Sequence, residues 1–227
     1  MRIDPAGWPF VVGGCIPALI AWIAGGPVYA LALLLLPAFF LFFFRDPERV
    51  HRASPSSVVS PADGRVMVAG APTAKHVPPG TSQQISIFLS PIDVHVNRLP
   101  VSGRVTRVAY HPGRFLPAYR NEAGDLNEYT EVAIDHHGEL VVVRQIVGVL
   151  ARRIVCRATE GLVVRAGDRF GVMKFGSRMD VFLPADAVIR TRVGDTVLGG
   201  VTIIATLGSA KTAADLPAHG QEPGHAD

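Results

Sequence analysis

The chain has 227 residues and a formal net charge of +3, enough for one large domain or for a domain with an appended segment. Its arginines are dispersed and form no basic stripe with interleaved aromatic residues, which argues against nucleic-acid binding. The two cysteines, Cys15 and Cys156, lack the spacing of metal ligands, so we expect no metal site and two buried, reduced thiols.

An uncharged and strongly apolar run extends from Trp8 to Phe44. One helix of this length would measure about 55 Å, whereas the hydrocarbon core of a bilayer is roughly 30 Å thick. The sequence Gly25-Gly26-Pro27 therefore predicts a break between two arms. We expect residues 1–44 to form a membrane-anchoring helical hairpin that either spans the bilayer or enters one leaflet. A buried hairpin in a soluble core is the alternative.

Three arginines directly after this run set the expected orientation. Arg45, Arg49 and Arg52 favour the cytoplasmic side of the inner membrane for the domain that follows, because positive residues flanking an apolar segment stay in the cytoplasm. Their charges could also contact anionic lipid headgroups, at about 1 kcal/mol each.

Residues 45–209 have the pattern of a different domain. Short β-branched segments such as "GRVMVAG", "QQISIFLS" and "TVLGGVTIIATLG" alternate with turns rich in Gly, Pro, Asp and Asn. This pattern predicts a mainly β domain, an antiparallel sandwich or barrel, and exposed strand edges that could support a homodimer. The stretch "VGVLARRIVCRA" could hold one short helix, and "GRFLPAYRNEAGDLNEYT" is predicted to be a long functional loop. We expect the tail, residues 210–227, to be disordered.

One lysine suggests a non-catalytic alternative. The segment "GVMKF" places Lys174 between hydrophobic residues, as the modified lysine is placed in carriers of the biotinyl and lipoyl type, and Gly-Asp turns recur around it. A membrane-tethered β module with a group attached to Lys174 is therefore a second hypothesis. An unmodified, solvated lysine is the plainer interpretation.

The segment "DVHVNR" has the alternation of an extended strand. Asp93, His95 and Asn97 fall on one face and the valines on the other. Histidine is the side chain best suited to accept and return a proton near neutral pH, so His95 is a candidate catalytic residue, with an ordinary strand histidine as the alternative. Asp63, in the turn "PADG", is a candidate only if a basic group lies near it; otherwise it closes the turn.

The stretch "TIIATLGS" ends an apolar strand in Gly208-Ser209, close to the carboxyl end. No Gly-x-Ser-x-Gly motif surrounds Ser209, so a hydrolase nucleophile turn is not indicated. A glycine at this position permits a distorted carbonyl and close approach. Attack by the Ser209 hydroxyl on the Gly208 carbonyl would turn the amide into an ester, and elimination from that ester would leave a dehydroalanine, the precursor of a pyruvoyl group.

Six segments together resemble the short bacterial phosphatidylserine decarboxylase proenzymes: "FFFRDPER", "SPADGRV", "FLSPIDVHVNR", "VRQIVGVLARRIV", "KFGSRMDVFLP" and "LGS". They occur in register over roughly residues 40–209. The resemblance implies a single chain that cuts itself at a Gly-Ser bond, here Gly208-Ser209. The products would be a β chain, residues 1–208, and an α chain, residues 209–227, headed by a pyruvoyl cofactor made from Ser209.

The resemblance also implies the reaction and the residues that perform it. The pyruvoyl group would form a Schiff base with the amine of phosphatidylserine and accept the electrons released with CO2, so that phosphatidylethanolamine is produced. A related phosphoserine lipid, such as an archaeal-type ether lipid, is the alternative substrate. Asp63 matches the aspartate of the family's Asp-His-Ser relay, and His95 matches a histidine that serves cleavage, decarboxylation or both. Candidate substrate-binding residues are Lys174, Arg178, Asn97 and Arg98.

Two positions depart from the family pattern. Arg98 stands where longer members have a second histidine, which leaves His95 as the expected sole imidazole of the site. Ala210 stands where threonine is common.

Overall fold

A computed structural model of the chain describes residues 2–50, 54–149, 154–174 and 176–208. Ser209 and the tail 210–227, which the sequence predicts to be disordered, lie outside the described residues, as does Arg52.

The amino-terminal run forms a helical hairpin. A 3-10 turn, Pro5–Gly7, precedes α1 (Trp8–Gly25), and the second arm consists of α2 (Pro27–Leu33) and α3 (Leu35–Phe43). The break lies at Gly26, whose φ of +91° suits glycine, and Pro27 starts the second arm, where its missing N–H costs no hydrogen bond. The predicted break is therefore confirmed.

The hairpin surface is apolar and faces away from the rest of the protein. The stretch Pro5–Gly25 has a mean hydropathy of 1.7, so its length and composition suit a membrane span. Near the tip, Trp22 and Ile23 are 61% and 76% exposed. Cys15 is exposed as well, and Cys156 is only partly buried, so the prediction that both thiols are buried is wrong. Cys15 lies on an exposed face of α1.

The β domain contains short strands. They are β1 (Arg2–Ile3), β2 (Arg45–Asp46), β3 (Ser57–Val59), β4 (Gly64–Gly70), β5 (Gln83–Leu89), β6 (Val96–Arg98), β7 (Gly103–His111), β8 (Tyr129–His136), β9 (Glu139–Ile146), β10 (Ile154–Cys156), β11 (Val163–Val164), β12 (Arg169–Met173), β13 (Ser177–Leu183), β14 (Val188–Ile189), β15 (Thr196–Val197) and β16 (Ile203–Thr206).

The strands form packed antiparallel sheets. The main sheet has the order β11-β7-β8-β9-β13-β5-β4-β15, and two three-stranded sheets have the orders β10-β12-β6 and β14-β16-β3. The predicted mainly β, antiparallel, sandwich-like fold is confirmed, and the described sheets do not close into a barrel. The edge strands of the main sheet, β11 and β15, are two residues long, which leaves little edge for pairing between copies.

Strand β13 lies at the centre of the main sheet, between β5 and β9. Met179, Val181 and Leu183 point into the hydrophobic core. Arg178 and Asp180 alternate with them and therefore lie on the opposite face. Both are fully buried and form an ion pair, with 2.6 Å between Arg178 Nε and Asp180 Oδ1.

Replacing Asp180 tests this buried pair. The Asp180→Asn change would leave the buried Arg178 guanidinium without its counter-charge, so we expect the free energy of unfolding to fall by about 3–5 kcal/mol. Urea denaturation of the purified protein measures this. Asp186→Asn, at an exposed position, is the matched control and should change stability by less than about 0.5 kcal/mol. Equal effects of the two changes would contradict the assignment.

Two segments differ from or refine the sequence analysis. In the stretch 147–158 the described residues contain strand β10 and no helix; residues 150–153 lie outside them. The segment 113–130 contains a short helix, α4 (Ala123–Leu126). The Asn127 side chain holds this segment through hydrogen bonds to the backbone of Leu116 and Val147.

The hairpin is joined to the β domain at its base. Strand β1 pairs with β2, and Arg157 donates two hydrogen bonds to Asp4, at 2.7 and 3.0 Å. Gly7 lies so close to Phe44 that a Cβ atom there would be 2.5 Å from the phenylalanine side chain. Phe43 and Phe44 are almost completely buried against Val94, Val96 and Val172 of the β domain. The apolar hairpin and the His95 strand are thus packed as one unit.

Candidate active site

His95 lies just before β6 and is 1% exposed. Its Nδ1 is 2.9 Å from the carbonyl oxygen of Asp93, so Nδ1–H donates to that oxygen, which leaves Nε2 without a proton. Nε2 is buried and has no hydrogen-bond partner among the described residues. The imidazole is therefore a proton acceptor with a fixed orientation.

The surroundings of His95 keep it neutral. Burial lowers its pKa to about 4, and the nearby positive charge of Arg45 acts in the same direction, while the Asp93 hydrogen bond and the charge of Asp63 oppose the shift. The ring of Phe43 packs against the imidazole with 4.0 Å between ring centroids. The end of the apolar hairpin thus supplies one wall of the histidine's environment.

Asp63 has a basic partner, which was the condition for considering it a catalytic residue. It forms an ion pair with Arg49, in which Arg49 Nη2 is 2.7 Å from Oδ2, and Oδ1 accepts a hydrogen bond from the Gly199 backbone N–H at 2.8 Å. Its interaction with His95 is electrostatic. Among the described residues no hydrogen bond joins the Asp63 carboxylate to His95, because Nδ1 of His95 is used by the Asp93 carbonyl.

Asn97 and Arg98, proposed from sequence as substrate contacts, are buried. Asn97 Oδ1 accepts a hydrogen bond from Gln145 Nε2 at 2.8 Å. Arg98 forms an ion pair with Asp46 at 3.1 Å and donates to the carbonyl oxygens of Pro47 and Gly167. Arg98 therefore fastens the segment after the hairpin to the β domain.

The other two candidate substrate contacts, Lys174 and Arg178, lie in different environments. Lys174 follows β12, and its Nζ lies 4.6 Å from the ring centroid of Phe10 in α1. Arg178 is fully buried; besides Asp180 it donates to Ser86 Oγ at 3.0 Å. This burial argues against the expected phosphate contact by Arg178.

Gly208 lies among acidic groups. A Cβ atom at Gly208 would be 2.5 Å from Asp186 Oδ2 and 3.6 Å from Glu139 Oε1, and burial raises the pKa of Glu139, with a further contribution from Asp186. Asp63 contacts Gly199, before β16, whereas Gly208 follows that strand. Residue 208 therefore lies at the other end of β16 from Asp63.

The chain contains a second Gly-Ser pair, Gly176-Ser177, which the sequence analysis did not consider as a cleavage site. Ser177 begins β13, is 0% exposed, and its Oγ is buried with no hydrogen-bond partner among the described residues. Gly176 has φ of +73°, a conformation that favours glycine. Gly148 packs against the Gly176 carbonyl oxygen so closely that no Cβ would fit at position 148.

Backbone pairing brings Ser177 and His95 onto facing connections. Ser177 is the register partner of Leu89 at the end of β5, and the Met173 N–H donates to the His95 carbonyl at 3.3 Å. The connection from β5 to β6 and the connection from β12 to β13 therefore join the same two sheets and are paired with each other at both ends. Each connection carries one buried polar side-chain atom without a partner in the described structure, the Ser177 hydroxyl oxygen and His95 Nε2.

A signal for Ser177 was present in the sequence. The segment "KFGSRMDVFLP", one of the six that carry the family resemblance, itself contains a Gly-Ser pair.

Comparisons with known proteins identify the family of the chain. A family model described as phosphatidylserine decarboxylase matches residues 36–205. The phosphatidylserine decarboxylase proenzyme of Granulibacter bethesdensis is 44% identical over 207 residues, covering 89% of this chain and 84% of that protein. The corresponding proenzymes of Prosthecochloris aestuarii and Geotalea daltonii are 43% and 41% identical, covering 82% and 87% of this chain and 85% and 93% of the relatives. The family match includes Gly176-Ser177 and ends before Gly208.

Proposed function

Because the chain belongs to the phosphatidylserine decarboxylase family, we propose that this decarboxylase converts phosphatidylserine to phosphatidylethanolamine with a pyruvoyl group made from its own Ser177. The single observation that carries the proposal is the pair of buried, unpartnered atoms, Ser177 Oγ and His95 Nε2, on adjacent connections. The pyruvoyl-bearing α chain would be residues 177–227, and the β chain residues 1–176.

Self-cleavage begins with the Ser177 hydroxyl. His95 Nε2, an acceptor because Nδ1–H is held by the Asp93 carbonyl, takes the hydroxyl proton as Oγ attacks the Gly176 carbonyl carbon. His95 gives that proton to the Ser177 nitrogen as the C–N bond breaks, and an ester forms. Loss of the Ser177 α-proton then releases the Gly176 carboxylate and leaves a dehydroalanine, which tautomerises and takes up one water to give the pyruvoyl group and ammonia.

The local charges favour this bond over Gly208-Ser209. The tetrahedral intermediate carries a negative charge on the former carbonyl oxygen. At Gly208 that charge would form beside Asp186 and Glu139. A Cβ atom at Gly176 would meet no carboxylate within 4 Å among the described residues. These features support Gly176-Ser177 as the scissile bond in place of the one expected from the sequence.

The residues around Ser177 fit a pyruvoyl group. Its position at the start of a strand paired on both sides fixes the group, and its burial excludes water from the reacting atoms. The pyruvoyl carbonyl would supply an electron-withdrawing group that binds the substrate amine covalently and accepts the electrons released with CO2. His95, on the paired connection between β5 and β6, would deliver a proton to the substrate's α-carbon after CO2 leaves.

The apolar hairpin accounts for access to a lipid. The helices end at Phe43, which packs against His95, so a hairpin inserted in the bilayer would hold the site at the membrane surface. Arg45 and Arg49 after the hairpin favour the cytoplasmic side. A homodimer remains a prediction.

A decarboxylation assay tests the function. The purified full-length chain, supplied with carboxyl-labelled phosphatidylserine in detergent micelles, should release labelled CO2 and form phosphatidylethanolamine. Borohydride added together with substrate should stop the reaction, because it reduces a carbonyl-derived link to an amine. Release of CO2 that borohydride leaves unchanged would contradict a pyruvoyl mechanism.

The carrier hypothesis for Lys174 has no comparable support. Family membership identifies a decarboxylase, and the Lys174 ammonium packs over an aromatic ring of the hairpin.

A further inference from the structure

Arg45 differs from the other arginines at the base of the hairpin. Four of them are paired with a carboxylate, Arg49 with Asp63, Arg98 and Arg169 with Asp46, and Arg157 with Asp4. Within the described ranges, Arg45 has no carboxylate at ion-pair distance. Its guanidinium donates instead to two neutral carbonyl oxygens, those of Phe42 at 2.8 Å and Ile92 at 2.7 Å.

These two hydrogen bonds orient the guanidinium without neutralising it. They use two of its five N–H groups, and the guanidinium carbon lies 3.9 Å from the Phe42 ring centroid. The side chain is partly exposed, so three N–H donors remain for a ligand. Asp63 and Asp93 influence Arg45 only at longer range.

Arg45 also bridges the two parts of the molecule that a phospholipid must reach together. Phe42 belongs to α3 of the apolar hairpin, and Ile92 belongs to the connection that carries His95. Burial raises the pKa of Asp93, and the charge of Arg45 opposes that shift; burial lowers the pKa of His95, and the charge of Arg45 adds to that shift. Arg45, Asp93 and His95 thus lie close enough to interact through their charges. In a phospholipid, the phosphodiester lies between the acyl chains and the amino-acid headgroup.

We propose that Arg45 binds the phosphodiester of the substrate and thereby sets the distance between the acyl chains in the hairpin region and the headgroup at His95. This assignment rests on the proposed function. It replaces Arg178, whose guanidinium is buried and ion-paired, as the phosphate contact. A planar guanidinium with free N–H groups suits bidentate contact with two phosphate oxygens.

The test compares Arg45→Gln with the wild type on dihexanoyl-phosphatidylserine, which is monomeric in solution at low concentration. Rates are divided by the cleaved fraction of each protein. We expect normal self-cleavage and a loss of roughly 10- to 100-fold in kcat/KM, mainly through a higher KM, because hydrogen bonds to charged groups are worth about 1.5–3 kcal/mol. Arg45→Lys keeps the positive charge but loses the planar, forked pair of N–H groups. Its kcat/KM should therefore lie between those of the wild type and Arg45→Gln.

Arg104→Gln is the matched control. Arg104 is exposed, donates to one carbonyl oxygen, that of Gly161 at 3.0 Å, and has no ion pair in the described part of the chain. The Arg104→Gln change should leave kcat/KM within about twofold of the wild-type value, as expected for a surface position.

Separate results distinguish the possible failures. Binding of each protein to phosphatidylcholine vesicles containing phosphatidylglycerol is measured by sedimentation. A loss of activity seen only with vesicle substrate, together with weaker vesicle binding, would show that Arg45 binds the bilayer and overturn the proposal. A fall in kcat with unchanged KM, or failure of both Arg45 variants to cleave, would also overturn it. A wild-type protein that never cleaves or releases CO2 would instead reject the proposed function.

Discussion

Ser177→Ala is expected to give a single uncut chain with no decarboxylase activity. The change removes the hydroxyl oxygen that attacks the carbonyl carbon of the Gly176-Ser177 peptide bond. An alanine at this position also cannot be converted into a pyruvoyl group. Since Ser177 is buried and its hydroxyl has no hydrogen-bond partner among the described residues, loss of the oxygen should cost little stability. Denaturing gel electrophoresis and the CO2 assay measure the two effects.

The matched control is Ser209→Ala, which removes the hydroxyl of the other Gly-Ser pair. We expect this variant to cleave and to decarboxylate like the wild type. The opposite pattern, an uncut Ser209→Ala chain and a normally processed Ser177→Ala chain, would restore the bond first expected from the sequence and refute the assignment made from the fold.

His95→Gln is expected to lower the rate of self-cleavage by about 10²- to 10⁴-fold, the usual contribution of a positioned general base. Glutamine can still fill much of the space beside Phe43, but it cannot accept the Ser177 proton and release it again. The measurement is the fraction of cut chain against time after denatured protein is refolded. His76→Gln, at a side chain that is 77% exposed, is the control and should cleave at the wild-type rate.

The pH dependence of cleavage gives a second readout for His95. Since its pKa is lowered to about 4 from 6.5, the neutral, proton-accepting form persists well below pH 6. We expect the cleavage rate to stay nearly constant from pH 8 down to about 5 and to fall near pH 4. The same shift means that the unfolded chain binds the proton more readily between these two pKa values, so acidification through this window should also lower stability.

A tenfold fall in rate for each pH unit below 6.5 would indicate an imidazole with an ordinary pKa and contradict the described environment. An unchanged rate in His95→Gln would remove the histidine from the mechanism altogether.

Local sequence signals predicted much of the fold. The break at Gly25-Gly26-Pro27 followed from the length of the apolar run and from the backbone freedom of glycine. The antiparallel β domain followed from many short β-branched segments between turns. Alternation in "DVHVNR" predicted an extended segment, of which Val96–Arg98 forms strand β6 while His95 lies just before it. The condition that Asp63 needs a basic partner is met by Arg49.

The differences between the sequence analysis and the structure concern contacts between residues distant in sequence. Two Gly-Ser pairs have similar local features, and the pairing of β13 with β5, which connects one of them to the segment that carries His95, cannot be read from either pair alone. The sequence around Arg178 does not reveal that its side chain is buried and ion-paired with Asp180. Cys15 was expected to be buried because apolar composition alone does not distinguish a protein core from a surface suited to lipid.

The central claim is that the serine at position 177 becomes the pyruvoyl group. Intact-mass spectrometry of the purified wild-type protein tests it most directly. The account predicts two chains, residues 1–176 and residues 177–227, with the second lighter by one ammonia than the same chain beginning with serine. Chains of residues 1–208 and 209–227, or an active protein of undivided mass, would contradict it.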